Sequence, residues 1–195
     1  RVLFRSVKKV LMIAIPVLLM IGGISLGLYL RHRSIRIKKE HLAQYMESGE
    51  TYLRYDNYQK ASEEYGEALR LAKNLKREED TQEADQYKKL AEQIILADEA
   101  MTSGEYQKAQ GLYLTAREMS VEAGNVGKSY IDSQLKLTKD YIDVFDLIEL
   151  GEQKEAAGNM EGAVKTYKEA RDKAASLYYS AGKEEALKKD RKSVV

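Results

Sequence analysis

Bond-making chemistry needs nucleophiles, metal ligands or matched acids and bases, and this sequence offers few. It has no Cys, which removes disulfides and thiolate chemistry. Its two histidines are His32, inside a basic cluster, and His41 just after it. A helical His in such a place is ordinarily solvent-exposed. Gly124-Asn125-Val126-Gly127-Lys128-Ser129 ends in Lys-Ser, but only two residues separate its glycines. A phosphate-cradling loop needs four there, so this segment reads as a helix-ending turn. The carboxylates are spread among cations, as in Glu63, Glu64 and Glu67 followed by Arg70, the pattern of a solvated helix face. No catalytic residue, cofactor or metal site is expected. The chemistry that remains is recognition.

Charge narrows the partner. Residues 7–39 carry seven Lys/Arg and no acid, whereas residues 40–189 carry 21 Lys/Arg against 30 Asp/Glu, a net of −9. An acidic body argues against nucleic acid, because phosphate binding needs a basic face. The basic stretch flanks an apolar run, 10–30, that carries no charge. At about 1.5 Å per residue such a run reaches across a hydrocarbon core of about 30 Å. It is therefore expected to be a transmembrane helix with the lipid bilayer as a partner, and a cleaved signal peptide is the competing reading. Two cations precede it (Lys8, Lys9) and five follow it (Arg31, Arg33, Arg36, Lys38, Lys39), which places the remainder on the cytoplasmic side of a single-pass cell-membrane protein. Gly23 and Gly27, four apart, permit close helix approach and hence a homodimer in the membrane, against the reading of ordinary membrane-helix glycines.

From residue 38 onward Ala, Glu, Lys, Leu and Gln dominate, and Pro is absent. Apolar residues recur at three and four, and Gly falls mostly between the periodic segments. The pattern predicts helices at about 38–55, 58–77, 81–102, 106–122, 127–156 and 161–187. The second, fourth and sixth begin alike. Tyr58 and Ala61 precede Tyr65 and Ala68; Tyr106 and Ala109 precede Tyr113 and Ala116; Met160 and Ala163 precede Tyr167 and Ala170. The second step, from Tyr106 to Met160, is slightly longer than the first. Small Ala residues let a neighbouring helix approach, and the Tyr four residues on fills the gap between helices.

This pattern resembles the tetratricopeptide repeat family. In that family a Gly or Ala stands twelve residues before the first Ala, and an aromatic nine before. Gly49 and Tyr52 match in the first repeat. Ala97 and Ala100 stand there in the second, and Gly151 and Lys154 in the third. The turn glycine is matched by Gly104 and Gly158 but is Asp56 in the first repeat. Two features depart from the family: the period is longer than its usual one, and the proline that ends the second helix is missing. A generic helical bundle is the competing reading. The resemblance implies an all-α protein, an α-solenoid of about three antiparallel helix hairpins behind one N-terminal transmembrane helix. It also implies a concave groove, lined mainly by first helices, that binds a protein or peptide. There the candidate contact residues are Tyr52, Tyr55, Tyr87, Tyr130 and Tyr141, with Gln44, Gln93, Gln134 and Lys136. Tyrosine anchors interfaces well because it buries area at small entropic cost; for each of these Tyr, core packing is the alternative.

The ends carry a separate signal. Residues 1–6 can be encoded by CGTGTGCTCTTCCGATCT and residues 190–195 by GATCGGAAGAGCGTCGTG. The two strings share GCTCTTCCGATC as reverse complements, a stretch resembling a short-read sequencing adapter. The expected organisation is therefore adapter-derived residues 1–6 and 190–195, a basic-flanked membrane segment 7–37 and a repeat domain 38–189. The expected function is a membrane-anchored adaptor. The alternative is the non-catalytic sensor tail of a membrane-tethered enzyme, since a membrane span followed by helical repeats is similar to bacterial membrane-anchored serine/threonine phosphatases. A scaffold whose repeats oligomerise is the third reading.

Overall fold

The computed structural model describes the backbone of residues 2–177 and 180–193, and the side chains of residues 20, 22–177, 182 and 184–190. Among the described residues the chain forms seven helices and no strand. They are α1 (Val2–Arg54), α2 (Tyr58–Leu75), α3 (Glu78–Thr102), α4 (Tyr106–Glu122), α5 (Lys128–Ala156), α6 (Met160–Ser176) and α7 (Ser180–Ser193). From the C-terminal part of α1 onward, each helix packs on the next in sequence, and α7 also touches α5. That neighbour-on-neighbour order is compatible with a helical repeat fold.

The expected transmembrane helix is corrected. Among the described residues, no helix is long and apolar enough to cross a membrane. The described apolar stretch comprises Met20 and residues 22–30. It runs without a break into the charged residues 31–40 of the same helix. The rest of the expected span, including Pro16, and the flanking Lys8 and Lys9 lie outside the described side chains, as do the terminal segments 1–6 and 191–195. A Cβ on Gly22, Gly23 or Gly27 would meet nothing within 4 Å, so among the described residues nothing packs against their small size.

The three hairpins close with one turn, repeated. Asp56, Gly104 and Gly158 adopt left-handed φ angles of 55°, 76° and 78°. The amide after each donates five residues back: Asn57 to Tyr52 O, Glu105 to Ala100 O and Asn159 to Lys154 O, all at 2.9 Å. This bond satisfies a carbonyl that the ending helix leaves free. The next helix starts at once, with Asn57 Oδ1 accepting from the Lys60 amide at 3.2 Å and Asn159 Oδ1 from the Gly162 amide at 3.0 Å. Asp at the first turn therefore adopts the conformation that Gly adopts at the others, which Asp tolerates better than most residues.

Within a hairpin the helices meet at a small residue and a tyrosine. Tyr65, Tyr113 and Tyr167 are almost wholly buried, as are Ala61, Ala68, Ala109, Ala116, Ala163 and Ala170 on the same helix faces, and Ala97 and Gly151 on the facing helices. A Cβ on Gly49 would stand 2.8 Å from the Tyr65 ring, and one on Gly151 would collide with the Tyr167 ring.

One expected helix, 161–187, is two. α6 ends at Ser176, and α7 starts at Ser180 and folds back against α6 and α5. Ala186 of α7 joins Val144, Ile148, Ala170 and Ala174 in a second small core, and Lys189 pairs with Glu152 of α5. A single long helix would leave that apolar face in water. The other expected helices agree within a few residues, except that α1 is continuous through 38.

Gly49→Ala is expected to destabilise the chain by about 1–3 kcal/mol through overpacking against Tyr65. Gly66→Ala, where the new Cβ meets only Lys88 Cε at 3.6 Å, is expected to stabilise α2 by up to about 1 kcal/mol. Urea melts of both variants decide it. Equal effects would show that the Gly49–Tyr65 contact does not set the spacing.

Candidate recognition site at the hairpin turns

The nominated contact residues do not share one groove. Tyr87 of α3 stacks on Tyr65 with centroids 5.2 Å apart and planes at 26°. Tyr141 of α5 meets the Tyr106 ring edge-on at 5.1 Å and 69°. Tyr52 is half-buried, with Lys60 Nζ 5.2 Å from its ring centroid. Gln93 Nε2 donates to Leu112 O across the α3–α4 seam at 3.1 Å. Gln134 is half-buried in α5, its backbone carbonyl accepting from Thr138 Oγ1, and Lys136 and Gln44 are exposed. These side chains either pack the seams between helices or point to water.

Two of the set, Tyr55 and Tyr130, come together with residues the sequence did not nominate. At the α1–α2 turn, Tyr58 lies against Tyr130 of α5, centroids 5.0 Å apart. The Tyr58 hydroxyl donates to Asp56 Oδ1 at 2.8 Å. Asp98 of α3 accepts from two tyrosines at one oxygen, Tyr113 at 2.5 Å and Tyr130 at 2.9 Å. Asp98 and its two hydroxyl donors thus tie α3, α4 and α5 together, and the Tyr58–Tyr130 ring contact brings α2 against them. Burial, reinforced by these bonds to Asp56 and Asp98, pushes the hydroxyls of Tyr58, Tyr113 and Tyr130 well above the ordinary tyrosine range. They therefore stay protonated and serve as donors to the two carboxylates.

Two cavities flank this cluster and share Asp56. One, of about 770 Å³, lies between the α1–α2 turn and the C-terminal part of α3. Tyr55, Asp56, Tyr58, Ile95, Asp98 and Glu99 line it. The other, of about 520 Å³, lies between the ends of α1 and α5 and has Leu53, Val126, Tyr130 and Ser133 in its walls. Gly127 starts α5 here with φ 70°, and a Cβ on it would stand 3.4 Å from the Tyr58 hydroxyl. Tyr55 is 77% exposed at the mouth of the larger cavity. Among the described residues no three His, Asp or Glu stand close enough to hold a metal ion. His32 and His41 are both exposed on α1.

Tyr58 was legible only as the start of a repeat, and Asp98 only as a charge beside Ala97. Their meeting depends on contacts between elements far apart in sequence, as between Tyr58 and Tyr130, which no local spacing reveals. Compared with family models, with curated proteins and with solved structures, the chain matches none. Fold and cavities together define an all-helical protein of successive hairpins.

The buried hydroxyls set the alkaline behaviour. Their folded pKa values lie above the ordinary 10.0. The stability they contribute is therefore intact below about pH 10 and is lost as pH rises further, because the unfolded chain ionises first. Tyr113→Phe is expected to cost about 1 kcal/mol at neutral pH. It should also make the alkaline loss shallower, read from urea melts at about pH 8 and about pH 11. An unchanged pH slope would show that Tyr113 is not held protonated by folding.

Proposed function

We propose that this chain is a recognition module, an array of tetratricopeptide-like hairpins that binds a protein or peptide at its hairpin-turn end. The observation that carries the reading is the pair of tyrosine-walled cavities joined at Asp56. Together they offer apolar wall beside a few fixed polar groups, the usual make-up of a peptide-accepting surface. The tetratricopeptide reading is supported by two recurrences that run in step with each other, each at intervals of 48 and then 54 residues. One is the left-handed turn at Asp56, Gly104 and Gly158. The other is a buried small residue, Gly49, Ala97 or Gly151, followed sixteen residues later by a buried Tyr, at Tyr65, Tyr113 and Tyr167 respectively. The longer period lengthens the helices and leaves that register intact.

The test is selection from a random dodecapeptide library displayed on phage, with the full chain as bait. Enriched peptides are expected to lose roughly tenfold in affinity on Tyr55→Ala, which removes an exposed aromatic anchor, and on Ser133→Arg, which fills the smaller cavity. Failure to enrich, or binding indifferent to both substitutions, would reject this site as the recognition surface.

A further inference from the structure

The larger cavity is electrostatically one-sided. Asp56, Asp98 and Glu99 are in its wall, and among the described residues no Lys or Arg lines it. Three neighbouring cations are engaged elsewhere: Arg54 with Glu50 at 2.7 Å, Lys108 with Glu105 at 2.6 Å, and Lys60 over the Tyr52 ring; Lys128 lines the adjoining cavity and not this one. Tyr58 and Ile95 supply low-dielectric wall, which concentrates the negative field in the opening. Tyr55 leaves an aromatic ring open to water at the mouth, the surface on which a guanidinium or ammonium is held by cation–π attraction. The adjoining cavity is different in kind. Leu53, Val126 and Tyr130 give it apolar wall, and its charges are mixed, Glu50 and Asp56 with Arg54 and Lys128.

Resting on the recognition reading above, we infer that the partner is a basic segment of a protein. It places an Arg or Lys side chain between Tyr55 and the Asp56–Asp98–Glu99 wall, and an adjacent apolar residue against Leu53 and Tyr130. Charge complementarity selects it. An acidic segment would meet three carboxylates in the larger cavity, where no Lys or Arg is among the described lining residues, and an uncharged one would leave them without a counter-charge. Asp98 keeps its Oδ1 on the two tyrosine hydroxyls throughout, so its part is to hold a fixed negative charge without reorganising.

Fluorescence anisotropy on the full chain tests this with a labelled dodecapeptide carrying three Arg-Leu pairs among Gly and Ser, and with its Glu-for-Arg counterpart. The Arg peptide should bind at least tenfold tighter than the Glu peptide and weaken with added salt. Glu99→Lys should weaken it by about tenfold and Tyr55→Ala by about threefold. Both side chains are exposed, so neither substitution threatens the fold. Glu118→Lys makes the same charge change on α4, away from both cavities, and should alter binding by less than about twofold. Equal binding of both peptides overturns the inference, as does equal weakening by Glu118→Lys and Glu99→Lys, which would reveal attraction to overall charge. Self-association abolished by Glu99→Lys, with no peptide bound, would give the groove to a second copy and overturn it too. If the library yields Tyr55-dependent peptides free of Arg and Lys, the basic partner fails and the recognition module stands. If the library yields nothing, both fail.

Discussion

Everything in this fold hangs on a tyrosine ring laid against a residue with little or no side chain. Tyr65 covers Gly49, and Tyr167 covers Gly151, so closely that even a methyl group would collide. Such contact is possible only where one helix shows bare backbone, and it sets how near the two helices of a hairpin can lie. The buried ring also needs an outlet for its hydroxyl or its face. Tyr167 donates to Glu155 at 2.9 Å, Tyr113 donates to Asp98, and Tyr65 stacks on Tyr87. Three hairpins solve the same packing problem and satisfy the polar end in three ways.

Those differences give the molecule a distinct end. Because the second hairpin satisfies its tyrosine through Asp98, a carboxylate is drawn to the α3 face that meets α5, where Tyr130 shares the same oxygen. Because the first turn uses Asp56 where the others use Gly, a second carboxylate stands beside Tyr58. Neither residue is needed for a helix to form. Together they place fixed negative charge between two cavities, braced by hydroxyls whose burial keeps them protonated. The proposed binding surface is thus a by-product of how a repeat was closed, which is how repeat arrays commonly acquire individual ligands on a shared frame.

The far end follows the same economy of exposure. Hairpin three would leave an apolar face of α5 and α6 in water. The chain turns back after Ser176, and α7 covers that face with Ala186.

The sequence by itself determined the helices, their order and the small-residue–tyrosine register, because helix periodicity and a recurring Tyr are local signals that survive without coordinates. It also marked Gly104 and Gly158 as turns and hinted at Asp56 by its place in the repeat. It misled where a local signal had to stand for its surroundings. The uncharged run 10–30 reads as a membrane span, yet among the described residues no helix has the length and apolarity to cross a bilayer. A helical pattern through 161–187 hides a reversal, because good helix formers continue on either side of it. Tyr52, Tyr87 and Tyr141 read as surface anchors, but their spacing could not tell a groove from the seam between helices. Only the tertiary structure decided which tyrosines were packed away and which stood open. Asp56, Asp98, Tyr58 and Tyr130 meet through pairings of residues that are distant in sequence, and burial and field strength are properties of that meeting and of no residue alone.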